Sequence, residues 1–306
     1  MKISTKIMAC ITALSVVLAG CAAQPATQSP TQPKIETAER VFMSDRINIR
    51  VIGSGPDVVL IPGLGSPPAV YDELVAKLSP NYRLHLVHVA GFAWLNTNIE
   101  GPMFDDVTSE IERYLTGEHL ENAKIIGHSM GGEMAMALSA RKHVAQEIMV
   151  VDAMPFYPLY FGKQYADAMS TQNATIFSNI IKSQNDEAYR ASQVLSIAKL
   201  VKSPQHRQQV LDWSVGSNRA AIAQGLYDLM TIDLRPGLAQ NRAKITLLYA
   251  YDAQMGMSRE VVDGLYDTGY ANIPNVTKTR VDGSLHFIMF DRPQEFEAAV
   301  RQFLEH

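Results

Sequence analysis

Cysteine is nearly absent from this sequence, since the 306 residues contain only Cys10 and Cys21. Both precede residue 22, so the long remainder of the chain has no thiol. This excludes a disulfide framework and a cysteine-based metal site from the body of the protein. A thiol-free chain also suits an oxidising compartment.

Long basic runs are absent as well, and the formal net charge is -4. A nucleic-acid partner needs clustered Lys and Arg to bind phosphates, so we expect none. The sequence also lacks a Rossmann glycine pattern, a Walker loop and a zinc signature. We therefore expect neither a cofactor nor a bound metal.

The N-terminus differs in composition from the rest of the chain. Lys2 and Lys6 are followed by an apolar stretch over residues 7–20, which is shorter than the roughly 20 residues of a transmembrane helix. A basic start before a short apolar stretch is typical of a secretory signal peptide. The stretch ends in Leu18-Ala19-Gly20-Cys21, which resembles the lipobox of bacterial lipoproteins. The resemblance implies that Cys21 becomes the lipidated first residue of the mature protein.

Acyl chains on Cys21 would hold the protein to a membrane without a spanning helix. In the sorting rules of lipoproteins, Ala22 rather than Asp after the cysteine implies delivery to the outer membrane. We therefore expect a protein of the cell envelope that faces the periplasm. The alternatives are an ordinary signal peptide, or an uncleaved anchor, with a chance cysteine.

The residues after Cys21 have the composition of a linker. Residues 22–34 read AAQPATQSPTQPK, which offers nothing to bury and favours an extended, disordered chain. We expect a signal peptide over 1–20, a lipidated cysteine and linker over 21–40, and one folded domain over 41–306.

Short apolar runs alternate with helical patterns along the folded domain. Strands are predicted at 46–52, 58–61, 84–89, 124–127, 147–152, 245–250 and 277–281, and helices at 68–78, 105–115, 132–140 and 293–304. This alternation predicts an α/β fold with a mostly parallel central sheet flanked by helices. Helical patterns dominate from about 155 to 240, which predicts a helical cap inserted over the active site.

The motif Gly127-His128-Ser129-Met130-Gly131 fits the G-x-S-x-G pattern of a nucleophile elbow. An elbow needs a tight turn between a strand and a helix, where flanking glycines avoid clashes that a Cβ would cause. A predicted buried strand precedes this motif and a helical segment rich in Ala and Met follows it. We therefore predict that Ser129 is a nucleophile. The alternative is a Gly-rich turn at a strand end.

A serine hydroxyl needs a base that removes its proton, and the sequence contains eight histidines. His286 follows the last predicted strand in Gly283-Ser284-Leu285-His286-Phe287, and Asp291-Arg292-Pro293 begins the closing helix. This arrangement looks like the histidine loop of the α/β hydrolases. In that family the nucleophile, the acid and the histidine follow one another along the chain. The resemblance implies that His286 is the general base.

The resemblance also implies an acid that orients the imidazole. Asp252 follows the predicted strand 245–250, where the family places its acid, and it is the preferred candidate. Asp152 ends the strand after the nucleophile, a position that some members of the fold use, and it remains open as a rival. Asp282 and Asp263 are weaker options.

Two backbone N–H groups are expected to form an oxyanion hole. One belongs to Met130, directly after the serine, and the other to Leu64, in the loop after strand 58–61. The sequence departs from the family at Pro62, where histidine is commoner, but a backbone donor does not depend on that side chain. It departs again before Gly91, where many members have an acidic residue.

The resemblance covers residues 45–304 and implies a serine hydrolase. The expected reaction is cleavage of a small-molecule ester, thioester, lactone or amide through an acyl-enzyme on Ser129, with carboxylesterase favoured. One alternative is a binding lipoprotein without catalysis, because a fold does not determine a function. Another is a non-hydrolytic enzyme of the same fold, such as a lyase or an acyltransferase.

Overall fold

The computed structural model describes residues 39–95, 101–141, 144–169 and 171–305. The predicted signal peptide, the lipidated Cys21 and all but the end of the predicted linker lie outside the described residues. The first strand begins at Glu39, two residues before the predicted start of the folded domain.

A central sheet organises the described part of the chain. Its strands are β1 (Glu39–Met43), β2 (Ile47–Ile52), β3 (Asp57–Ile61), β4 (Arg83–Val89), β5 (Lys124–His128), β6 (Glu147–Val151), β7 (Lys244–Tyr251) and β8 (Val276–Asp282). Their order in space is β1-β2-β4-β3-β5-β6-β7-β8. The pairs β1–β2 and β2–β4 are antiparallel, and the neighbours from β4 to β8 are parallel. The predicted α/β fold with a mostly parallel sheet is confirmed.

Helices connect these strands. They are α1 (Asp72–Leu78), α2 (Phe104–Gly117), α3 (Met130–Ser139), α4 (Lys163–Ala168), α5 (Thr171–Ser183), α6 (Asp186–Ile197), α7 (Pro204–Val215), α8 (Arg219–Thr231), α9 (Arg235–Leu238), α10 (Arg259–Tyr270), α11 (Ile288–Asp291) and α12 (Pro293–Glu305). Within the described ranges, none of them combines the length and the apolarity that crossing a membrane requires.

The apolar runs of the strands explain why both faces of the sheet are covered. Successive side chains of a strand point to opposite faces. Val59 therefore packs in a cluster with residues of α2, α3 and α10, such as Ile111. The next residue, Leu60, packs in a second cluster with residues of α1 and α12, such as Leu78. A sheet buried on both faces needs strands without polar alternation, as the sequence shows.

The helices α4 to α9 form an insertion between β6 and β7. Asn185, Ser203 and Asn218 cap α6, α7 and α8, because each side chain accepts a hydrogen bond from a backbone N–H of the first turn. At the base of the insertion the N–H of Leu234 donates to the carbonyl of Pro155 at 2.9 Å. This bond ties the outgoing and returning segments together.

Candidate active site

Ser129 lies in the turn between β5 and α3 with φ 53° and ψ −126°. Such a positive φ is strained for a residue with a side chain. The surrounding glycines make the turn possible, since a Cβ on Gly127 would lie 2.1 Å from the carbonyl oxygen of Gly131. A Cβ on Gly131 would lie 2.3 Å from the carbonyl oxygen of Ile61. The motif therefore has the backbone of a nucleophile elbow.

The loop after β3 passes close to the serine. A Cβ on Gly63 would lie 2.9 Å from the Cβ of Ser129, so only glycine allows this approach. In the part of the chain that the structure describes, the backbone N–H groups of Leu64 and Met130 have no hydrogen-bond acceptor. Met130 is the first residue of α3, where N–H groups lack intrahelical partners. Both predicted oxyanion donors are thus free of competing backbone bonds.

The imidazole of His286 contacts Asp152. Its Nδ1 lies 2.6 Å from Oδ2 of that aspartate. His286 follows β8 in a loop fixed by the N–H of Leu285, which donates to Oδ2 of Asp291 at 2.8 Å. The structure therefore corrects the preference for Asp252, because the rival aspartate is the one that meets the histidine.

Asp152 is held as a buried carboxylate. It is 7% exposed, and its Oδ1 accepts hydrogen bonds from the N–H of Ala250 and the hydroxyl of Tyr266, both at 2.8 Å. Burial by itself would raise the pKa of Asp152. The pKa of Asp152 is nevertheless below its usual value. The hydrogen bond to His286, the charge of that histidine and the bonds from Ala250 and Tyr266 together outweigh burial. The group is ionised at neutral pH.

Asp252 has a different partner. Its Oδ2 lies 2.5 Å from Nζ of Lys202, and its Oδ1 accepts the N–H of Gln254 at 2.8 Å. The same lysine donates to the carbonyl of Gly283 at 3.1 Å. Asp252 follows β7 and therefore holds together two loops, the one between α6 and α7 that carries Lys202 and the one after β8 that carries Gly283.

His128 supports the histidine loop from inside the elbow. Its Nε2 donates to the backbone carbonyl of His286 at 3.1 Å, and the two rings lie 4.6 Å apart. Burial, reinforced by the charge of His286, lowers the pKa of His128 to about 3. His128 is thus a neutral residue that holds the loop carrying His286.

These groups meet at the carboxyl edge of the parallel strands, where α/β sheets bind their ligands. A cavity of about 230 Å³ opens there between the sheet and the inserted helices. Ser129, Asp152 and His286 line it, and so do residues of the insertion. The inserted segment contributes six aliphatic side chains to the wall: Ile197, Leu200, Val210, Ile222, Leu226 and Leu229. It also contributes polar ones: Tyr157, Tyr160, Gln193, Lys199 and Ser214.

Two further residues of the site were not found in the sequence. Tyr266 lies in α10, a helix for which no prediction was made, and no pattern links its hydroxyl to Asp152. Glu133 lines the cavity at 2% exposure. It is the only charged residue of α3, which is otherwise rich in Met, Ala and Gly. A single acid in such an apolar helix is a sequence pattern that could have indicated a functional residue.

The fold and the site together define a class of protein. A profile of the Alpha/beta hydrolase family matches residues 58–299, and the chain belongs to that family. Curated relatives include the pimeloyl-(acyl-carrier protein) methyl ester esterase of Aliivibrio salmonicida, which is 26% identical over 83% of this chain and 94% of its own length. The corresponding esterase of Vibrio atlanticus is 29% identical over 68% of this chain and 80% of its own.

Solved structures agree with the fold. A hydrolase from Pseudomonas aeruginosa superposes with a TM-score of 0.72 at 15% identity, covering 89% of this chain and all of its own. A bromoperoxidase from Bacillus anthracis reaches the same TM-score at 20% identity, covering 85% of this chain and 95% of its own. Likenesses at such identities describe the fold alone.

Proposed function

We propose that this protein is a cofactor-independent serine hydrolase that cleaves a carboxylic ester through an acyl-enzyme on Ser129. One observation carries the proposal. The elbow serine and the hydrogen-bonded Asp152–His286 pair line the same cavity. This is the residue set with which a serine hydroxyl is activated for attack.

Acylation begins when the Oγ of Ser129 attacks the ester carbonyl and Nε2 of His286 takes the hydroxyl proton. The carbonyl π electrons move to oxygen and form a tetrahedral oxyanion. The N–H groups of Leu64 and Met130 donate to that oxygen. When the intermediate collapses, the C–O bond to the alcohol breaks and His286 returns the proton to the leaving alcohol.

Deacylation repeats these steps with water. His286 removes a proton from water, the resulting hydroxide attacks the acyl carbon, and the C–O bond to Ser129 breaks. The proton returns to Oγ, the carboxylic acid leaves, and the enzyme is restored. Throughout, Asp152 holds Nδ1–H and stabilises the imidazolium, and it does not itself take a proton.

The relatives support an ester as the scissile group. They are named for hydrolysis of the methyl ester of an acyl chain, and the cavity wall of this protein is mostly apolar. Apolar pockets with few polar groups suit acyl chains. We therefore place the activity among the carboxylesterases, with a short alkyl ester of an acyl chain as the substrate class.

Covalent labelling tests the nucleophile. Purified protein is treated with a fluorophosphonate probe and assayed on methyl esters of graded chain length. Ser129→Ala and His286→Ala are expected to abolish both labelling and hydrolysis. Ser183→Ala is the matched control, because Ser183 is an exposed residue at the end of α5, and it should behave as wild type. A folded wild type that neither labels nor hydrolyses any ester would make a binding lipoprotein the better description.

We also propose that the protein is anchored by acyl chains on Cys21 at the periplasmic face of the outer membrane. The support is the lipobox-like Leu18-Ala19-Gly20-Cys21 and the linker composition after it. Intact-mass measurement of the membrane-extracted protein is expected to show cleavage before Cys21 and the added acyl mass. Cys21→Ser should remove that mass and release the protein from the membrane. A protein that stays membrane-bound after this change would contradict the anchor.

A further inference from the structure

Glu133 is a buried acid that the proposed reaction does not use. It lies one helical turn after Ser129, and its N–H donates to the carbonyl of Ser129 at 3.1 Å. Ser129 and Glu133 line the same cavity, so a substrate bound at the serine shares that cavity with the acid.

The carboxyl has no counter-charge. Its Oε2 is fully buried and has no hydrogen-bond partner among the described residues, and no salt bridge to Glu133 occurs there. Burial raises the pKa of Glu133 well above its ordinary value, as expected for an acid without a cation nearby. Burial without a counter-charge favours the protonated carboxylic acid, which has one O–H donor and one carbonyl acceptor.

Two phenols share this part of the cavity. The hydroxyls of Tyr157 and Tyr160 make no hydrogen bond to the described residues, and both side chains line the cavity. Burial, with a contribution from Glu133, raises the pKa of Tyr157 to about 12. The phenols are thus neutral donors and acceptors beside the acid. Buried polar groups normally have partners, and the buried Oε2 of Glu133 has none among the described residues, which points to a ligand that supplies one.

We propose that Glu133 is the specificity-determining residue of the cavity and that it hydrogen-bonds, as a neutral acid, to an uncharged polar group of the substrate. A ketone, amide or hydroxyl oxygen close to the scissile carbonyl meets this requirement. The inference rests on the proposed ester hydrolysis and names a substrate class for the same site.

Charged substrates fit the site less well. A carboxylate would have to enter a cavity that already contains the ionised Asp152. Lys199 also lines the cavity, but it is exposed to solvent and offers no buried counter-charge. An ammonium group would have to lose its water and ionise Glu133, and a buried ion pair seldom repays that desolvation. A neutral oxygen needs neither step, because the acid donates to it as it stands.

A matched substrate series tests the proposal. Methyl pentanoate, methyl 4-oxopentanoate, monomethyl succinate and methyl 4-aminobutanoate are closely similar in chain length and differ in the group they present. Methanol release measures hydrolysis. The same four terminal groups are then tested on esters with longer acyl chains. We expect the wild type to prefer the ketone. Glu133→Met should lower the ratio of kcat/KM for the ketone to kcat/KM for methyl pentanoate roughly fivefold to tenfold, which is the effect of one neutral hydrogen bond.

Glu133→Gln separates a neutral acid from an anion. The carboxamide keeps a donor and an acceptor at the same positions, so the preference for the ketone should survive. If Glu133→Gln instead behaves as Glu133→Met and the wild type prefers the ammonium ester, Glu133 binds a cation and the proposal is overturned. Unchanged selectivity in Glu133→Met would overturn it as well.

Binding to Ser129→Ala keeps the two proposals distinguishable. Calorimetry on this background measures the affinity for the same four esters, with and without the Glu133 changes. If the wild type hydrolyses no ester, the hydrolase proposal fails, and the ratio of affinities for the ketone and the apolar ester still decides the role of Glu133. Equal ratios with Glu133 and with Met at position 133 would refute it.

Discussion

Replacing Asp152 by Asn is expected to remove nearly all hydrolytic activity, and the hydrogen bonds around the carboxylate show why. Oδ1 accepts the N–H of Ala250 and the hydroxyl of Tyr266. The NH₂ of an asparagine cannot accept from the amide, so the carboxamide oxygen must occupy the Oδ1 position. The NH₂ group then faces Nδ1 of His286, where Oδ2 lies 2.6 Å away in the native chain.

That orientation imposes the wrong tautomer on the base. Facing an NH₂ donor, Nδ1 of His286 must accept, so the proton moves to Nε2. A protonated Nε2 cannot take the proton of Ser129. The same change in a serine protease costs about 10⁴ in kcat, which corresponds to roughly 5.4 kcal/mol of transition-state stabilisation. We expect a loss of that order in Asp152→Asn.

Asp252→Asn is the matched control, since it makes the same chemical change at the end of the next strand. Its carboxylate bonds to Lys202 and to the N–H of Gln254 and has no bond to His286, so the change leaves the tautomer of His286 as it is. We expect kcat to change less than about threefold. Steady-state kinetics on a methyl ester, with circular dichroism to establish folding, compares the variants. An Asp252→Asn loss as large as that of Asp152→Asn would refute the reasoning.

Three further outcomes follow from the burial of particular groups. Because burial raises the pKa of Glu133, the wild type loses stability as pH rises above the ordinary glutamate value of about 4.3. The stability gained by Glu133→Gln relative to wild type should grow by up to about 1.4 kcal/mol per pH unit. Urea unfolding of both proteins at several pH values measures this gain, and a gain that does not change with pH would contradict the reasoning. Tyr266→Phe removes a hydrogen-bond donor to the ionised Asp152 and should lower the free energy of unfolding by about 1–3 kcal/mol at pH 7. Since the pKa of Asp152 is lowered, this loss should shrink as pH falls below about 3.9. A loss that does not change with pH would contradict the assignment. Gly131→Ala places a Cβ against the backbone of Ile61 and should lower the free energy of unfolding by roughly 1–3 kcal/mol or more, with a lower melting temperature. A variant as stable as wild type would show that the turn can relax.

The sheet was predictable because a strand that is buried on both faces needs a continuous run of apolar residues. The run Val58-Val59-Leu60-Ile61 and its counterparts could be packed only inside an α/β layer structure. β1 was not predicted, since a short edge strand carries no such run. The elbow was predictable for a steric reason, because the spacing of Gly127 and Gly131 is what the turn requires.

The acid was not predictable, and the reason is geometric. Asp152 and Asp252 both end neighbouring parallel strands, which lie only about 4.8 Å apart. Which carboxylate reaches the imidazole depends on the path of the backbone after each strand. Asp152 has φ 50° and Asp252 is held toward Lys202. The residues next to the two aspartates predict neither the backbone angle of Asp152 nor the contact of Asp252 with Lys202.

The hydrogen bond between Leu234 and Pro155 has a consequence for how such an enzyme can be altered. This bond joins the first and the last segment of the insertion. The helices between these segments therefore form a loop whose two ends already lie together at the sheet. Lengthening a closed loop costs little, about 0.6 kcal/mol for each doubling. The inserted helices can therefore be replaced by others while Ser129, Asp152, His286 and Glu133 stay in place. Such an exchange would change the aliphatic part of the cavity wall and leave the reacting groups as they are.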